Sequence, residues 1–132
     1  MNRQWKVWFQ RSDYSSDDFG RLSREEATAK FAQVDIEKEC KDMGERIEGK
    51  KDWCEFGIGF TGSDGAMAHI YIDDCVVKSF TLRLERPKKK KLLGLIPISY
   101  TQTKHIERIK LDSVRAHMER IYLDFDSLFN QP

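Results

Sequence analysis

No run of apolar residues in this sequence approaches the ~18 that a membrane-crossing helix needs, and the opening MNRQWKVWFQR has no apolar stretch ahead of a cleavage site. Both absences lead to the expectation of a cytoplasmic protein. Cysteine is scarce. Cys40, Cys54 and Cys75 are an odd number in a chain long enough to fold without staples, which suits free thiols in a reducing compartment, with a Cys54–Cys75 bridge between strands as the alternative. His69, His105 and His117 are the only histidines, none four residues from another and none beside cysteines at zinc-ligand spacing, so any metal site would have to be assembled from distant residues. The glycines of GIGFTG lie within and after a strand pattern, without a following helix or a Lys-Ser or Lys-Thr pair, so they make no phosphate cradle. An excess of one charge is missing too. A formal net charge of +1 favours neither nucleic acid nor a membrane surface as partner.

What is present describes one α+β domain spanning residues 1–132. The length allows a single core that buries roughly two thirds of the unfolded chain's surface. A hydrophobic fraction of 39% beside a charged fraction of 34% fits a globular body with a heavily solvated exterior. Locally the charge is uneven: Lys88–Lys91 is a basic run, while Asp13, Asp17, Asp18, Asp73 and Asp74 are grouped in acidic segments.

Residues 53–86 organise the rest as a three-stranded antiparallel meander. Cys54, Phe56, Ile58 and Phe60 alternate with Glu55, Gly57, Gly59 and Thr61, which places one apolar row on one face. Ala66, Ala68, Ile70 and Ile72 make a second row, and Val76, Phe80, Leu82 and Leu84 a third. Upstream, Trp5, Val7 and Phe9 point inward from a first strand, leaving Trp8 on the other side. Residues 12–20 read as a polar loop that ends at a capping box, Ser23 with Glu26. The stripe Ala27, Phe31, Val34 and the stripe Ile36, Cys40, Met43, Ile47 face different directions, so the segment is either two helices with Asp35 capping the second or one helix bent at Asp35. Gly49, Lys50 and Lys51 close it.

After the meander, Pro87 and four lysines read as a charged connection into a strand, LLGLIPISY, that Pro97 assigns to an edge or a bulge. A short strand follows at residues 105–109. Asp112 or Ser113 then caps a last helix with Val114, Met118, Ile121, Phe125 and Leu128 on its inner stripe. Strand, helices, strands, helix predicts an antiparallel sheet of five or six strands with helices packed on one face.

The chemistry-bearing residues mostly have structural readings beside functional ones. His69 shares the outer face of its strand with Met67 and Tyr71 and is either a surface or structural residue or a titrating one at an interface. Cys75 follows two aspartates that would raise its thiol pKa and make it a poor nucleophile. Gly57 and Gly59 form a flat patch where a neighbouring backbone or side chain approaches closely. The lysine run is a solvated connection or a set of phosphate contacts, and Asp73 and Asp74 are turn residues or an acidic patch for a basic partner.

The succession GIGF, a glycine turn, AHIYIDD, a strand, KKKKLLGLIPIS and a terminal helix resembles small bacterial immunity proteins of polymorphic-toxin and contact-dependent inhibition systems, over roughly residues 25 to 129. Tyr71 and Ile72 stand where that pattern has a Cys-Pro-like turn. The resemblance implies stoichiometric inhibition of a cognate toxin domain, with no enzymatic activity, no catalytic residues, no metal and no cofactor. It also implies a protein partner and no membrane. The expected contact residues lie off the core: Trp8, His69, Tyr71 and Arg83 on the outer sheet face, with Asp17, Asp18, Asp73 and Asp74 in loops. Acidic loops would suit a basic partner such as a nuclease. The competing expectations are a nucleic-acid-binding or regulatory adaptor that uses Lys88–Lys91, and a small enzyme built around His69 or His105 with carboxylates.

Overall fold

Alternating residues build the sheet that the sequence predicts, and a computed structural model, which describes residues 3–131, shows how its strands are ordered. The elements are β1 Trp5–Gln10, β2 Ser16–Arg21, α1 Arg24–Ala32, α2 Ile36–Glu48, β3 Gly57–Gly62, β4 Met67–Asp74, β5 Ser79–Leu92, β6 Ile96–Lys110 and α3 Val114–Asp124. The six strands form one sheet in the order β2-β1-β3-β4-β5-β6, with every neighbouring pair antiparallel. This is an α+β fold of the expected kind.

Period two decides which side chains are buried. Trp5, Val7 and Phe9 of β1, Ile58 and Phe60 of β3, Ala68, Ile70 and Ile72 of β4, and Phe80, Leu82 and Leu84 of β5 all turn to one face and are lost to solvent. Helices cover that face. Phe31 of α1 meets Phe80 edge-on at 6.2 Å, and Tyr122 of α3 meets Phe60 at 5.9 Å while its hydroxyl donates to the Leu22 carbonyl at 2.9 Å. The predicted stripe Val114, Met118, Ile121, Phe125 and Leu128 is buried throughout, although its last part belongs to a 3-10 segment, Phe125–Asn130.

The helix starts follow the local signals in part. Ser23 Oγ accepts from the Glu26 amide and Glu26 Oε1 accepts from the Ser23 amide, closing the capping box. Asp35 Oδ1 accepts from the Lys38 amide, so the two-helix alternative holds. At the last helix a 3-10 turn, Leu111–Ser113, leads in, and Ser113 makes no capping bond through its side chain.

Several expectations are corrected. Residues 16–21 are not loop but the edge strand β2, because the free edge of β1 supplies ladder partners that composition does not reveal. Val76 lies in the β4–β5 turn and is 91% exposed, so it has no place in the third apolar row. Cys54 precedes β3 and is only half-buried. The lysine run lies within β5, and the two strands expected after it are one long strand, β6, at the edge where Pro97 requires no ladder donor on its outer side.

Cys40 and Cys75 form a disulfide, Cα atoms 5.8 Å apart, and Cys54 is the free cysteine. The pairing joins α2 to the β4–β5 turn. Apart from Glu39, no residue of α2 is fully buried. The helix is held by partial burial of Ile36, Cys40 and Met43, by the crosslink, and by polar links at both sides. Arg11 bridges Glu39 at 2.8 Å and Asp17 at 2.6 Å, and Lys78 reaches Glu37 at 2.6 Å.

β4 pairs with β5 only as far as Met67 opposite Glu85, yet β5 and β6 stay paired out to Leu92 opposite Ile96. The excess is a two-stranded ribbon projecting past the sheet. Leu93 (φ 53°) and Gly94 (φ 74°) turn it, with the Leu95 amide donating to the Leu92 carbonyl at 3.1 Å. Two positive φ values in succession are best met by Asn-Gly; leucine in the left-handed region costs about 1–2 kcal/mol.

Candidate functional site

The sheet face turned away from the helices carries one transverse row. Trp8 of β1 stands opposite Asp18 of β2 and opposite Gly59 of β3; Gly59 stands opposite His69 of β4, His69 opposite Arg83 of β5, and Arg83 opposite His105 of β6. At ~4.8 Å per strand the row is about 24 Å long. A parallel row beside it runs Gln10, Gly57, Tyr71, Thr81.

Glycine makes the first row possible. A Cβ at Gly59 would fall inside the Trp8 indole, so the ring lies flat over bare backbone. Its Nε1–H donates to Thr61 Oγ1 at 3.0 Å. The Trp8 and His69 rings are 4.9 Å apart between centroids, and His69 and Tyr71 are 5.3 Å apart, giving a continuous aromatic surface. The close approach expected at the glycine patch is therefore present twice, since a Cβ at Gly57 would run into the backbone of Ile70 and Tyr71.

The imidazole in this surface is kept neutral. Burial between Trp8 and Tyr71, with a smaller contribution from the Arg83 guanidinium, lowers the His69 pKa to about 4. Its Nε2 is closed to solvent and has no hydrogen-bond partner. Arg83 keeps its charge partly exposed and pairs with Glu85 at 2.6 Å. His69, Tyr71 and Arg83 line a concavity of about 360 Å³ with Gln10, Tyr14, Cys54, Glu55 and His105. Cys54 Sγ donates to the Arg11 carbonyl at 3.1 Å, and burial raises its thiol pKa, so it is not poised as a nucleophile.

The structure thus brings Trp8, Asp18, His69, Tyr71 and Arg83 onto one face. Asp73 and Asp74 are the last residues of β4 and not loop, and Asp73, two beyond Tyr71, closes the end of this face beside Thr81, while Asp17 and Asp74 lie elsewhere. Asp17 turns to the helix side, where Arg11 holds it. Asp73 accepts from the hydroxyls of Ser79 and of Thr81, and Asp74 accepts from the amides of Val76 and Val77, so both organise the β4–β5 turn. Asp18 is itself engaged by the Gly20 amide at 2.9 Å. Alternation from Trp8 points to Gln10 as a further member. Tyr14, Cys54 and Glu55 enter from loops and have no such signal.

Two histidines and Glu55 do meet in the concavity, yet no bonded base-and-orienter pair forms around His69 Nε2. Among the described residues no group of three or more His, Cys, Asp or Glu could hold a metal ion, and no helix is long and apolar enough to cross a membrane. Compared with protein-family models, with curated proteins and with solved structures, the chain matches none.

Proposed function

We propose that this domain is an immunity protein that binds one cognate toxin domain and neutralises it in the cytoplasm of the producing cell. The observation that carries the reading is the uncovered sheet face, where Trp8, lying over Gly59, stands side by side with His69 and Tyr71, and Arg83 stands at their border. Tryptophan, tyrosine and arginine are the residues that dominate binding energy at protein interfaces. Here Trp8 is hydrogen-bonded to Thr61, His69 packs between Trp8 and Tyr71, and Arg83 is paired with Glu85 before any partner arrives, which lowers the ordering cost of association. A row about 24 Å long fits one partner's share of a standard interface, roughly 800 Å². The kind of partner comes from the resemblance of the GIGF to KKKKLLGLIPIS succession to immunity proteins.

Co-expression with the product of an adjacent toxin gene tests it. The wild-type chain should rescue growth and form a one-to-one complex, whereas Trp8→Ala with Arg83→Ala should weaken that complex by at least ~100-fold, as two interface anchors would. Rescue by the double variant at unchanged affinity would refute the assignment of the face. Absence of both rescue and complex would refute the function.

A further inference from the structure

The ribbon beyond β4 has a composition unlike the rest of the surface. Its apex presents four large aliphatic side chains to solvent: Leu92 is 46% exposed, Leu93 87%, Leu95 83% and Ile96 56%. Immediately behind them Lys91, Lys90, Lys89 and Lys88 pair with Pro97, Ile98, Ser99 and Tyr100. Lys90 Nζ lies 5.5 Å from the centre of the Tyr100 ring. From Pro87 to Thr103 there is no aspartate or glutamate. The near-neutral total charge averages this basic projection against acidic segments elsewhere, so net charge alone hides it.

Three features select one kind of surface. The layering is apolar apex, then lysines with a tyrosine, then the polar body, which is the order of a bilayer interface read from acyl chains outward. The apolar part is the last strand pair, Leu92 opposite Ile96, with the turn Leu93–Leu95 beyond it, about 7 Å deep and within the roughly 5–10 Å depth of the headgroup and acyl boundary. Leu93 occupies a left-handed turn position at which asparagine would be easier, so the apex keeps an aliphatic side chain against local preference. A second copy of the chain would set lysines against lysines. A nucleic acid would satisfy the lysines and leave most of the aliphatic apex in water.

We propose that the β5–β6 ribbon docks this protein on an anionic lipid bilayer, its apex entering between headgroups and Lys88–Lys91 meeting the lipid phosphates. The surface is separate from the aromatic row, so membrane docking and partner binding are compatible.

Co-sedimentation of the full chain with vesicles tests it. In 0.15 M salt the protein should pellet with phosphatidylcholine vesicles containing 30% phosphatidylglycerol and stay in solution with phosphatidylcholine alone, in keeping with ~1 kcal/mol per lysine near an anionic surface. Replacing all four lysines by alanine should lower binding by on the order of 10²–10³-fold. Leu93→Asp with Leu95→Asp should abolish pelleting while the thermal transition is unchanged, because neither side chain touches the core. Lack of binding to the anionic vesicles, or equal binding by the two-aspartate variant, would overturn the proposal. So would tight binding to a duplex DNA oligonucleotide, kept by the two-aspartate variant and lost with the lysines, in place of vesicle binding; that pattern belongs to a nucleic-acid arm.

Discussion

Opening the Cys40–Cys75 crosslink should weaken the fold by about 4 kcal/mol, and the figure follows from chain statistics. The two cysteines are 35 residues apart in sequence. Closing a loop of that size removes about 12.7 cal/mol/K from the unfolded ensemble, or about 3.8 kcal/mol at 25 °C. A domain of 132 residues has a total stability of roughly 7–20 kcal/mol, so the reduced chain should remain folded. With about 2.1 cal/mol/K of unfolding entropy per residue, the loss corresponds to a fall of about 14 °C in Tm. Urea titrations of the wild type, with and without a phosphine reductant, and of Cys40→Ala/Cys75→Ala check this. The reductant should move the wild-type midpoint close to that of the variant and leave the variant where it is. Because α2 offers little buried surface, its amides should also lose exchange protection before those of the sheet. A shift below ~1 kcal/mol in both comparisons would show that the crosslink does not restrain the unfolded chain in this way.

Two further outcomes follow from the open face. Gly57→Ala should destabilise more than Gly59→Ala, because the new methyl group meets strand backbone at Gly57 but a movable indole at Gly59. Overpacking of this kind costs typically 1–3 kcal/mol, and urea midpoints together with the Trp8 emission, altered only by Gly59→Ala, would separate the two. His69 gives a pH test: its folded pKa of about 4 lies below the ordinary 6.5, so the unfolded chain takes up the proton first as the pH falls. The stability associated with the neutral ring is complete above pH 6.5 and is lost towards pH 4, by up to about 3 kcal/mol. His69→Gln should remove that part of the pH dependence, and a wild-type-minus-variant difference that stays constant between pH 7 and pH 4.5 would contradict the origin given for the shift.

The buried half of the sheet was readable because burial on one face imposes alternation, which residues such as Val7, Ile58, Ile70 and Leu82 obey without exception. The same rule placed Trp8, His69, Tyr71 and Arg83 together on the opposite face. It failed wherever a strand has no buried row. β2 offers the core only one apolar side chain, Phe19, and its remaining residues, Ser16, Asp17, Asp18, Gly20 and Arg21, have the composition of a loop. Lys88–Lys91 lack alternation because both sides of the ribbon are wet. The Cys40–Cys75 pairing depends on how a helix docks beside a turn, a relation through space that spacing along the chain does not encode. Tyr14 reaches the concavity through a positive φ of 73°, a local choice of backbone that residue type does not announce.

The ribbon also divides the molecule into parts that melt differently. A two-stranded hairpin with no core is marginal in water by itself, so residues 88–100 should unzip from the apex downwards many times for each global unfolding of the body. Each opened pair exposes no buried side chain and leaves the core intact. Substitutions at Leu92, Leu93, Leu95 or Ile96 therefore carry almost no penalty in folding, and the apex can be rewritten by mutation far more freely than the glycine-floored face. The chain keeps an adjustable projection on a body that must stay fixed.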